Sequence, residues 1–429
     1  MFLPQLKIIK NRLNERSDEM RVSILAIGDE VVQGKTVNTN AAYIAKELEI
    51  KGFTIVKHMA CIDRLEVIKQ SLSYLYQDAD LIITSGGLGP TIDDITKESV
   101  AAYFQEEMVL NEEILIWLED LFSKHYKTMP KTNIKQAYFI KGSKIIDNNN
   151  GTAPGMIFEK NGKVVVVLPG PPSELSPMLN DEVIPYLLDQ YKDNQYWVKH
   201  YRLMNIGESH IEEIIDPIYK KYDQLKIAPY ASVGYVDYAI SSHDASQKDQ
   251  FTNACIEFES TLKDHIIGDW SRKINEIIVE EMTKKGLTLA IAESCTGGML
   301  SSLIVDVPGS SQVFNEGFIT YSNEAKVSTL GVKPEYLEKY GAVSEQVAIE
   351  MAVNAKKKTN SRIGLSTTGI AGPSGGTADK PVGLVYMAIV VDDRVKVYSQ
   401  VFAGNRDKIR LRTCMYLLYH LYNEFIKTF

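Results

Sequence analysis

Apolar and polar positions follow two rhythms along this chain, and from Val22 onward the rhythms alternate. VSILAIG (Val22 to Gly28) reads as a buried strand. Ala41, Ile44, Ala45 and Leu48 then recur at helical spacing, and Gly52 closes that segment. TIVKHMA (Thr54 to Ala60) reads as a second strand, Leu65 to Tyr76 as a helix, and DLIITSGG (Asp80 to Gly87) as a strand ending in glycines. A helix is expected from Ile92 to Phe104, and VVVVLPGPPSEL (Val164 to Leu175) runs from a buried strand into a Pro/Gly turn. Strands alternating with helices predict βαβ units and a parallel sheet covered on both faces.

Residues from about Ser173 to Ser260 mix helix-like and strand-like pieces, and the rhythm changes again after Trp270. Ile274 to Lys285 is an amphipathic helix, LTLAIAES (Leu287 to Ser294) a strand, and Gly297 to Val305 a helix. Ser344 to Lys357 is a further helix and IGLSTTG (Ile363 to Gly369) a strand. PVGLVYMAIV and VKVYSQVF read as paired strands, and Asp407 to Phe429 as a closing helix. Divided by a typical size of roughly 150 residues per domain, 429 residues suggest three domains. The expected division is an extension at 1–19 and domains at 20–172, 173–262 and 270–429.

Composition narrows the function. Hydrophobic residues at 45% and charged residues at 24% exclude a disordered scaffold. A net charge of −8 makes a protein that grips nucleic acid through phosphate contacts a poor expectation. Cys61, Cys255, Cys295 and Cys414 stand far apart, which excludes a zinc-finger spacing and gives no disulfide framework. No apolar run reaches the ~18 residues of a membrane span, and residues 1–19 lack the features of a signal peptide. A cytoplasmic protein without membrane contact is the expectation.

Two loops concentrate polar chemistry in the first domain. GDEVVQGKTVNTN (Gly28 to Asn40) follows the first strand, and SGGLGPTIDDITKE (Ser85 to Glu98) follows the third. Ligands of open parallel sheets bind beyond the carboxyl ends of the strands, where both loops emerge. Gly86, Gly87 and Gly89 allow backbone N–H groups to approach a polyphosphate, and Thr91 is expected where the next helix begins. Asp93 and Asp94 beside such glycines suit a hard cation such as Mg²⁺. Capping without any ligand is the alternative for either loop alone; the presence of both, in order, favours a site.

The motifs G-D-E-x-V-x-G, N-T-N and G-G-L-G-P-T-x-D-D resemble the N-terminal domain of the CinA family, which is related to the molybdopterin-binding MoaB/MogA fold. The likeness covers about Arg21 to Leu175 and includes PGPPSEL at its end. It implies metal-dependent hydrolysis of ADP-ribose to AMP and ribose 5-phosphate, with Mg²⁺ or another divalent cation and K⁺ as cofactors. It places Glu30, Asp93 and Asp94 at the metal and Asn40, Gly86, Gly87, Gly89 and Thr91 at the nucleotide. Asn38 stands where many relatives carry Asp, which weakens it as a ligand. In that family a small KH-like domain follows, and RLMNIGESHIEE (Arg202 to Glu213) matches its I-G-E-S region. The segment has neither the G-x-x-G clamp of a nucleic-acid-binding KH domain nor a basic stripe. It is expected to be an interdomain or dimerisation module of a homodimer, without direct nucleic-acid contact.

In the last domain AESCTGGMLSSLI (Ala292 to Ile304) puts Ser294 at a strand-to-helix junction, where a nucleophile is exposed beside backbone N–H groups. No histidine occurs between His265 and His420, which disfavours a Ser-His-Asp triad. Lys326, aided by Tyr321 in GFITYSNEAK, is the chemical alternative as base. An N-cap role for Ser294 and a nucleophilic Cys295 are the competing readings. TTGIAGPSGG (Thr367 to Gly376) is a Gly-rich loop able to offer N–H groups to a phosphate. A-E-S-C-T-G-G, T-Y-S-N-x-x-K and T-G-I-A-G-P-x-G-G resemble the CinA C-terminal domain, a nicotinamide mononucleotide deamidase of the PncC type, over about Ile274 to Phe429. The resemblance implies hydrolysis of nicotinamide mononucleotide to nicotinate mononucleotide and ammonia without a metal. Ser294 would be the nucleophile, Lys326 the base and Tyr321 the relay or orienter. Thr296 and Gly297 would bind substrate or the oxyanion, and Gly369, Ala371, Gly372 and Arg406 the phosphate.

The implied fold class is α/β: an N-terminal MoaB/MogA-like doubly wound domain, a small α+β KH-like domain and an α/β C-terminal domain. The competing functions are a molybdopterin-binding transferase and a non-catalytic partner in DNA uptake or damage response.

Overall fold

The computed structural model describes residues 20–125, 128–191 and 196–427, so the expected extension at 1–19 lies outside the described residues. The chain forms two compact units, one running to Val198 with 242–248 added, the other comprising 199–241 and 249–429.

The first unit is built on β1 (Arg21–Ile27), β2 (Thr54–Cys61), β3 (Leu81–Ser85), β6 (Lys144–Ile146), β7 (Gly155–Lys160) and β8 (Lys163–Leu168), with β4 (Met108–Leu110) and β5 (Tyr138–Ile140) as a separate ribbon. The sheet order is β2-β1-β3-β8-β7-β6. β1, β2, β3 and β8 are parallel, whereas β7 and β6 are antiparallel additions. The unbroken apolar runs follow from burial on both faces. Val22, Ile24, Leu81 and Ile83 pack into one cluster, and Leu25, Ile27 and Ile82 into another. The helix Thr39–Ile50 covers the first face and Leu65–Leu75 the second.

Two expectations shift here. The first core runs past residue 172: Leu175, Met178, Leu179, Val183, Ile184 and Leu187 belong to it, so the helical segment to Tyr191 is part of the first domain. The Pro/Gly turn at 169–171 looked like a boundary because it ends a strand, but it only redirects the chain back onto the sheet. The helix expected from Ile92 begins at Thr96, since residues 89–93 form bends and side chains hold the chain there.

The second unit opens with β9 (Trp197–Leu203), β10 (Lys226–Ser232), β11 (Tyr235–Ser242) and β12 (Ile266–Gly268) in the order β10-β11-β9-β12. The helices Glu208–Lys221 and Lys248–Leu262 bury Ile211, Ile215 and Phe258 against Tyr238 and Ile240. The stretch YASVGYVDYAISS is therefore a hairpin of β10 and β11. β13 (Leu289–Glu293), β14 (Phe314–Ile319), β15 (Ile363–Gly369), β16 (Leu384–Val391) and β17 (Arg394–Val401) form a five-stranded sheet ordered β14-β13-β15-β16-β17. Its first three strands are parallel and the last two antiparallel. Helices Ile274–Lys284 and Arg406–Leu421 pack on one face and Glu345–Thr359 on the other. Met204 and Ile267 join the first of these cores, which ties the small module to the C-terminal sheet within one unit. Among the described residues no helix is long and apolar enough to cross a membrane.

Candidate functional site

The C-terminal site starts where β13 ends. Glu293 is wholly buried, and its carboxylate accepts from the N–H groups of Gly298 (2.9 Å), Leu300 (3.1 Å) and Ser301 (2.8 Å) and from the Ser301 hydroxyl (2.7 Å). A carboxylate at this place satisfies donors that a helix start leaves unpaired. The following helix begins at Met299, two residues later than expected, with Gly298 as its cap at φ 94°. Ser294 is therefore no N-cap. Its N–H instead donates to Thr367 O of the neighbouring strand at 2.9 Å.

Lys326, on the helix Asn323–Leu330, reaches Ser294. Its Nζ lies 3.0 Å from Ser294 Oγ, 2.8 Å from Thr320 O and 3.2 Å from Tyr321 O. Two carbonyls and a hydroxyl surround the amine, and the lysine is 1% exposed. That burial holds its pKa below the ordinary lysine range. A desolvated amine against a serine hydroxyl is the arrangement that general-base activation requires. Cys295, next in the chain, is buried as well, and its thiol is pushed up to about 12. A thiol so protonated at neutral pH is a weak nucleophile, which leaves Ser294 as the better candidate. Among the described residues the main-chain N–H groups of Cys295 and Thr296 donate to no protein oxygen, that of Cys295 lying against its own thiol.

The other expected residues take differing places. Thr296 Oγ1 bonds Thr367 Oγ1 at 2.6 Å, and its carbonyl accepts from Arg410 Nη2 at 2.7 Å. Gly297, at φ 58°, continues that turn. Tyr321 contributes its carbonyl to Lys326, while its exposed hydroxyl accepts from Arg406 Nη2 at 3.1 Å. The hydroxyl thus pairs with a cation rather than with Ser294, because Tyr321 precedes the helix that carries Lys326. Arg406 Nη1 also donates to Gly372 O at 2.9 Å, which joins the closing helix to the Gly-rich loop. Gly369 ends β15, and Ala371, within that loop, is buried. Glu293 and Arg410 are additions to the expected set. Their signal was weak, an acid preceding the serine and an arginine one helical turn beyond Arg406.

The N-terminal site is a pocket of about 390 Å³ beyond the carboxyl ends of the four parallel strands. Gly28 follows β1, Asp63 follows β2, Gly86, Gly87 and Gly89 follow β3, and Gly170 follows β8. Gly86 has φ 105°, and a Cβ there would sit 2.2 Å from Ile27 O, so only glycine permits this crossing of the two loops. Glu30, Asp93 and Asp94 line the pocket together with Asp63, which the sequence reading missed as an isolated acid. Burial, then the charges of Asp29, Glu30 and Asp93, push the Asp63 carboxyl above its usual range against a hydrogen bond from Asp29 N–H. Thr91 is held by its acids and not by a helix start: its N–H and hydroxyl donate to Asp94 at 2.9 and 2.6 Å, and its hydroxyl also bonds Asp93. That hydroxyl holds the Asp93 pKa below the usual range. Lys135 donates to Thr91 O at 2.9 Å.

Asn40 points elsewhere. Its amide donates to Ser85 Oγ (2.8 Å) and Gly170 O (2.7 Å), stitching the loops behind the pocket. Asn38 caps the helix Thr39–Ile50 by accepting from Ala41 N at 3.1 Å, which accounts for an amide there. Among the described residues no three His, Cys, Asp or Glu side chains are grouped as a ready metal cage. The acids share the pocket, but Asp93 and Asp94 are turned onto Thr91. The donor set, all carboxylate oxygen, nevertheless fits a hard divalent cation.

Three family models match the chain. They are the CinA C-terminal domain at residues 271–425, a "Probable molybdopterin binding domain" at 23–189 and the damage-inducible protein CinA KH domain at 198–269. A competence-damage inducible protein of Clostridium botulinum (strain Loch Maree / Type A3) is 42% identical over 91% of this chain and 96% of its own length. Its namesake in Acetivibrio thermocellus is 43% identical over 92% and 96%. The solved structure of the competence/damage inducible protein CihA from Agrobacterium tumefaciens is 40% identical, covers 34% of this chain and 91% of that one, and superposes with a TM-score of 0.34.

Proposed function

The chain belongs to the CinA family, and on that premise we propose that its C-terminal domain hydrolyses the carboxamide of nicotinamide mononucleotide to nicotinate mononucleotide and ammonia. The observation that carries this reading is the 3.0 Å contact between Lys326 Nζ and Ser294 Oγ, both buried. Neutral Lys326 takes the Ser294 proton as Oγ attacks the carboxamide carbon. The oxyanion that forms meets the N–H groups of Cys295 and Thr296. The tetrahedral species collapses, and ammonia leaves with the proton that Lys326 held. Water, deprotonated by the same amine, then attacks the acyl ester, and Ser294 Oγ departs with the proton that Lys326 took, which frees the carboxylate and restores the neutral amine. Arg406, near the Gly372 loop, supplies a cation for the substrate phosphate. The test is ammonia release from nicotinamide mononucleotide without added metal. An unchanged rate in Ser294→Ala overturns the mechanism.

For the N-terminal domain we propose hydrolysis of ADP-ribose to AMP and ribose 5-phosphate. The support is a pocket with glycine loops and five carboxylates, Glu30, Asp63, Asp93, Asp94 and Glu174. These residues would hold a divalent cation, which when bound neutralises diphosphate charge, with K⁺ as an auxiliary ion. Phosphate oxygens are met by the backbone of Gly86, Gly87 and Gly89. Equal AMP formation in EDTA, or in the double variant Asp93→Ala, Asp94→Ala, would sink the metal role. The match at 23–189 favours a pterin as the competing ligand, and a binding titration with molybdopterin separates the two. The working assembly we propose is a homodimer acting on these small nucleotides in the cytoplasm, without nucleic acid.

A further inference from the structure

The second unit holds another cavity, of about 470 Å³, that includes neither Ser294 nor Lys326. Its walls come from the turn after β9, the β10–β11 hairpin, the end of β17 and one face of the helix Arg406–Leu421. Four rings stand in those walls, Tyr235, Phe402, Tyr416 and Tyr419, the last with its hydroxyl donating to Asp264 O at 2.8 Å. They are fixed without a ligand. The Tyr235 hydroxyl accepts from Ile274 N at 3.3 Å, and one face of its ring is covered by the Arg202 guanidinium at 4.3 Å. The Tyr416 hydroxyl accepts from Gln400 Nε2 at 3.1 Å, and its ring meets Phe402 edge-on at 5.8 Å between centroids. Rings held in place lose little freedom when a flat molecule enters between them.

The polar groups are few and of opposite kinds. Arg412 is half-buried, and among the described residues its guanidinium hydrogen-bonds only the Ala403 carbonyl and pairs with no carboxylate. Glu208, first residue of the helix Glu208–Lys221, lines the same cavity, is exposed and has no ion-pair partner among the described residues. A cation and a carboxylate in one cavity, each without its own salt bridge, call for a ligand carrying both an anion and hydroxyl donors. Guanidinium recognises phosphate, and a carboxylate recognises the vicinal hydroxyls of a ribose. The rings suit a heteroaromatic base, and the volume lies in the range of small-molecule sites, roughly 300–1,000 Å³.

We propose that this cavity binds a nucleoside monophosphate, with the phosphate on Arg412, the ribose hydroxyls on Glu208 and the base against Tyr416 and Phe402. The inference stands apart from both proposed reactions, since it uses none of their residues. The experiment is photo-crosslinking of the full chain with 8-azido-AMP, peptide mapping of the label, and competition by AMP, 2′-deoxy-AMP and adenosine. The expected label falls on peptides containing Tyr235 or Phe402 to Tyr416, and AMP competes best. Arg412→Gln should reduce that label at least tenfold and erase the preference for AMP over adenosine. Glu208→Gln should erase the preference for AMP over 2′-deoxy-AMP while labelling persists. Thermal unfolding of both variants checks that the fold is kept. Label confined to the N-terminal pocket or the Ser294 loop overturns the proposal, as does label on the expected peptides that neither variant alters.

Discussion

Glu293→Gln is the substitution that tests whether the nucleophile turn is built as described. The native carboxylate accepts three N–H groups and one hydroxyl, two per oxygen: Gly298 and Leu300 on Oε2, Ser301 N–H and Oγ on Oε1. A glutamine keeps one oxygen and sets an NH₂ against the other pair. It settles with its oxygen toward Gly298 and Leu300, because the Ser301 hydroxyl can rotate and accept from the new amide. One N–H, that of Ser301, is then left against a donor, and two bonds lose their charge assistance. Hydrogen bonds to charged groups are worth about 1.5–3 kcal/mol and a stranded buried donor costs about 1–3 kcal/mol. The expected destabilisation is therefore about 2–4 kcal/mol, and Glu293→Ala, which strands all three N–H groups, should exceed it. Hydrogen exchange at Gly298 to Ser301 and the urea midpoint of the second unit measure the effect. Deamidation should fall at least tenfold, since Ser294 adjoins the altered carboxylate. A midpoint shift worth under 0.5 kcal/mol, with native protection at Leu300 and Ser301, would refute the account.

Three further outcomes follow from the same geometry. Lys326→Met should lower ammonia release by about 10²–10⁴-fold, and the wild-type kcat/KM should rise with pH through a pKa below the usual lysine range, because only the neutral amine accepts the Ser294 proton; a flat profile contradicts the base assignment. Cys295→Ala should leave deamidation within a few fold, the thiol being pushed up to about 12, and complete loss with an intact fold would return the cysteine to the mechanism. Lys97 is buried, donates to Gln136 O at 2.7 Å, and its pKa is pushed down by burial to about 7 from 10.5. Between those values the unfolded chain binds a proton that the native state does not, so stability rises with pH across the window. From pH 7 to 8.5 the first unit should gain about 1.5 kcal/mol relative to Lys97→Met, read from urea midpoints, and parallel pH trends in the two proteins would exclude the buried amine as the source.

Much of the fold was legible because strands buried on two faces leave largely apolar runs, as at Ile24 to Ile27 and Val164 to Leu168. The two loops of the first domain and the A-E-S-C-T-G-G turn were visible as motifs, and the Ser294–Lys326 pairing was reached from the want of a nearby histidine. What stayed hidden depends on contacts distant in sequence. Leu175 to Leu187 complete the first core, yet nothing local distinguishes them from the start of a new domain. Asp63 joins the pocket only because β2 ends beside β1. Residues 90–95 have helix-compatible side chains, but Thr91, Asp93 and Asp94 bond one another and hold the chain in bends. The direction of the Tyr321 hydroxyl was decided by Arg406, 85 residues away.

A chain of net charge −8 that is proposed to act on two phosphorylated substrates faces an electrostatic problem, and its two sites meet it in opposite ways. The C-terminal site carries Arg406 and Arg410 near the Ser294 turn, beside the amine of Lys326 that the proposed mechanism uses in its neutral form, and its buried carboxylate, Glu293, is consumed by four internal donors. A monophosphate can approach such a site unaided. The N-terminal pocket carries Glu30, Asp63, Asp93, Asp94 and Glu174, and the Asp63 pKa is raised there first by burial and then by the charges of neighbouring acids. Lys135 lies close by, but its amine is engaged by the Thr91 carbonyl and the Glu98 carboxylate. A diphosphate entering that pocket adds negative charge to negative charge. The glycine N–H groups offset only part of it, so the proposed reaction there requires a cation while the deamidation does not. Metal dependence confined to AMP formation, with ammonia release indifferent to EDTA, is the signature of that division.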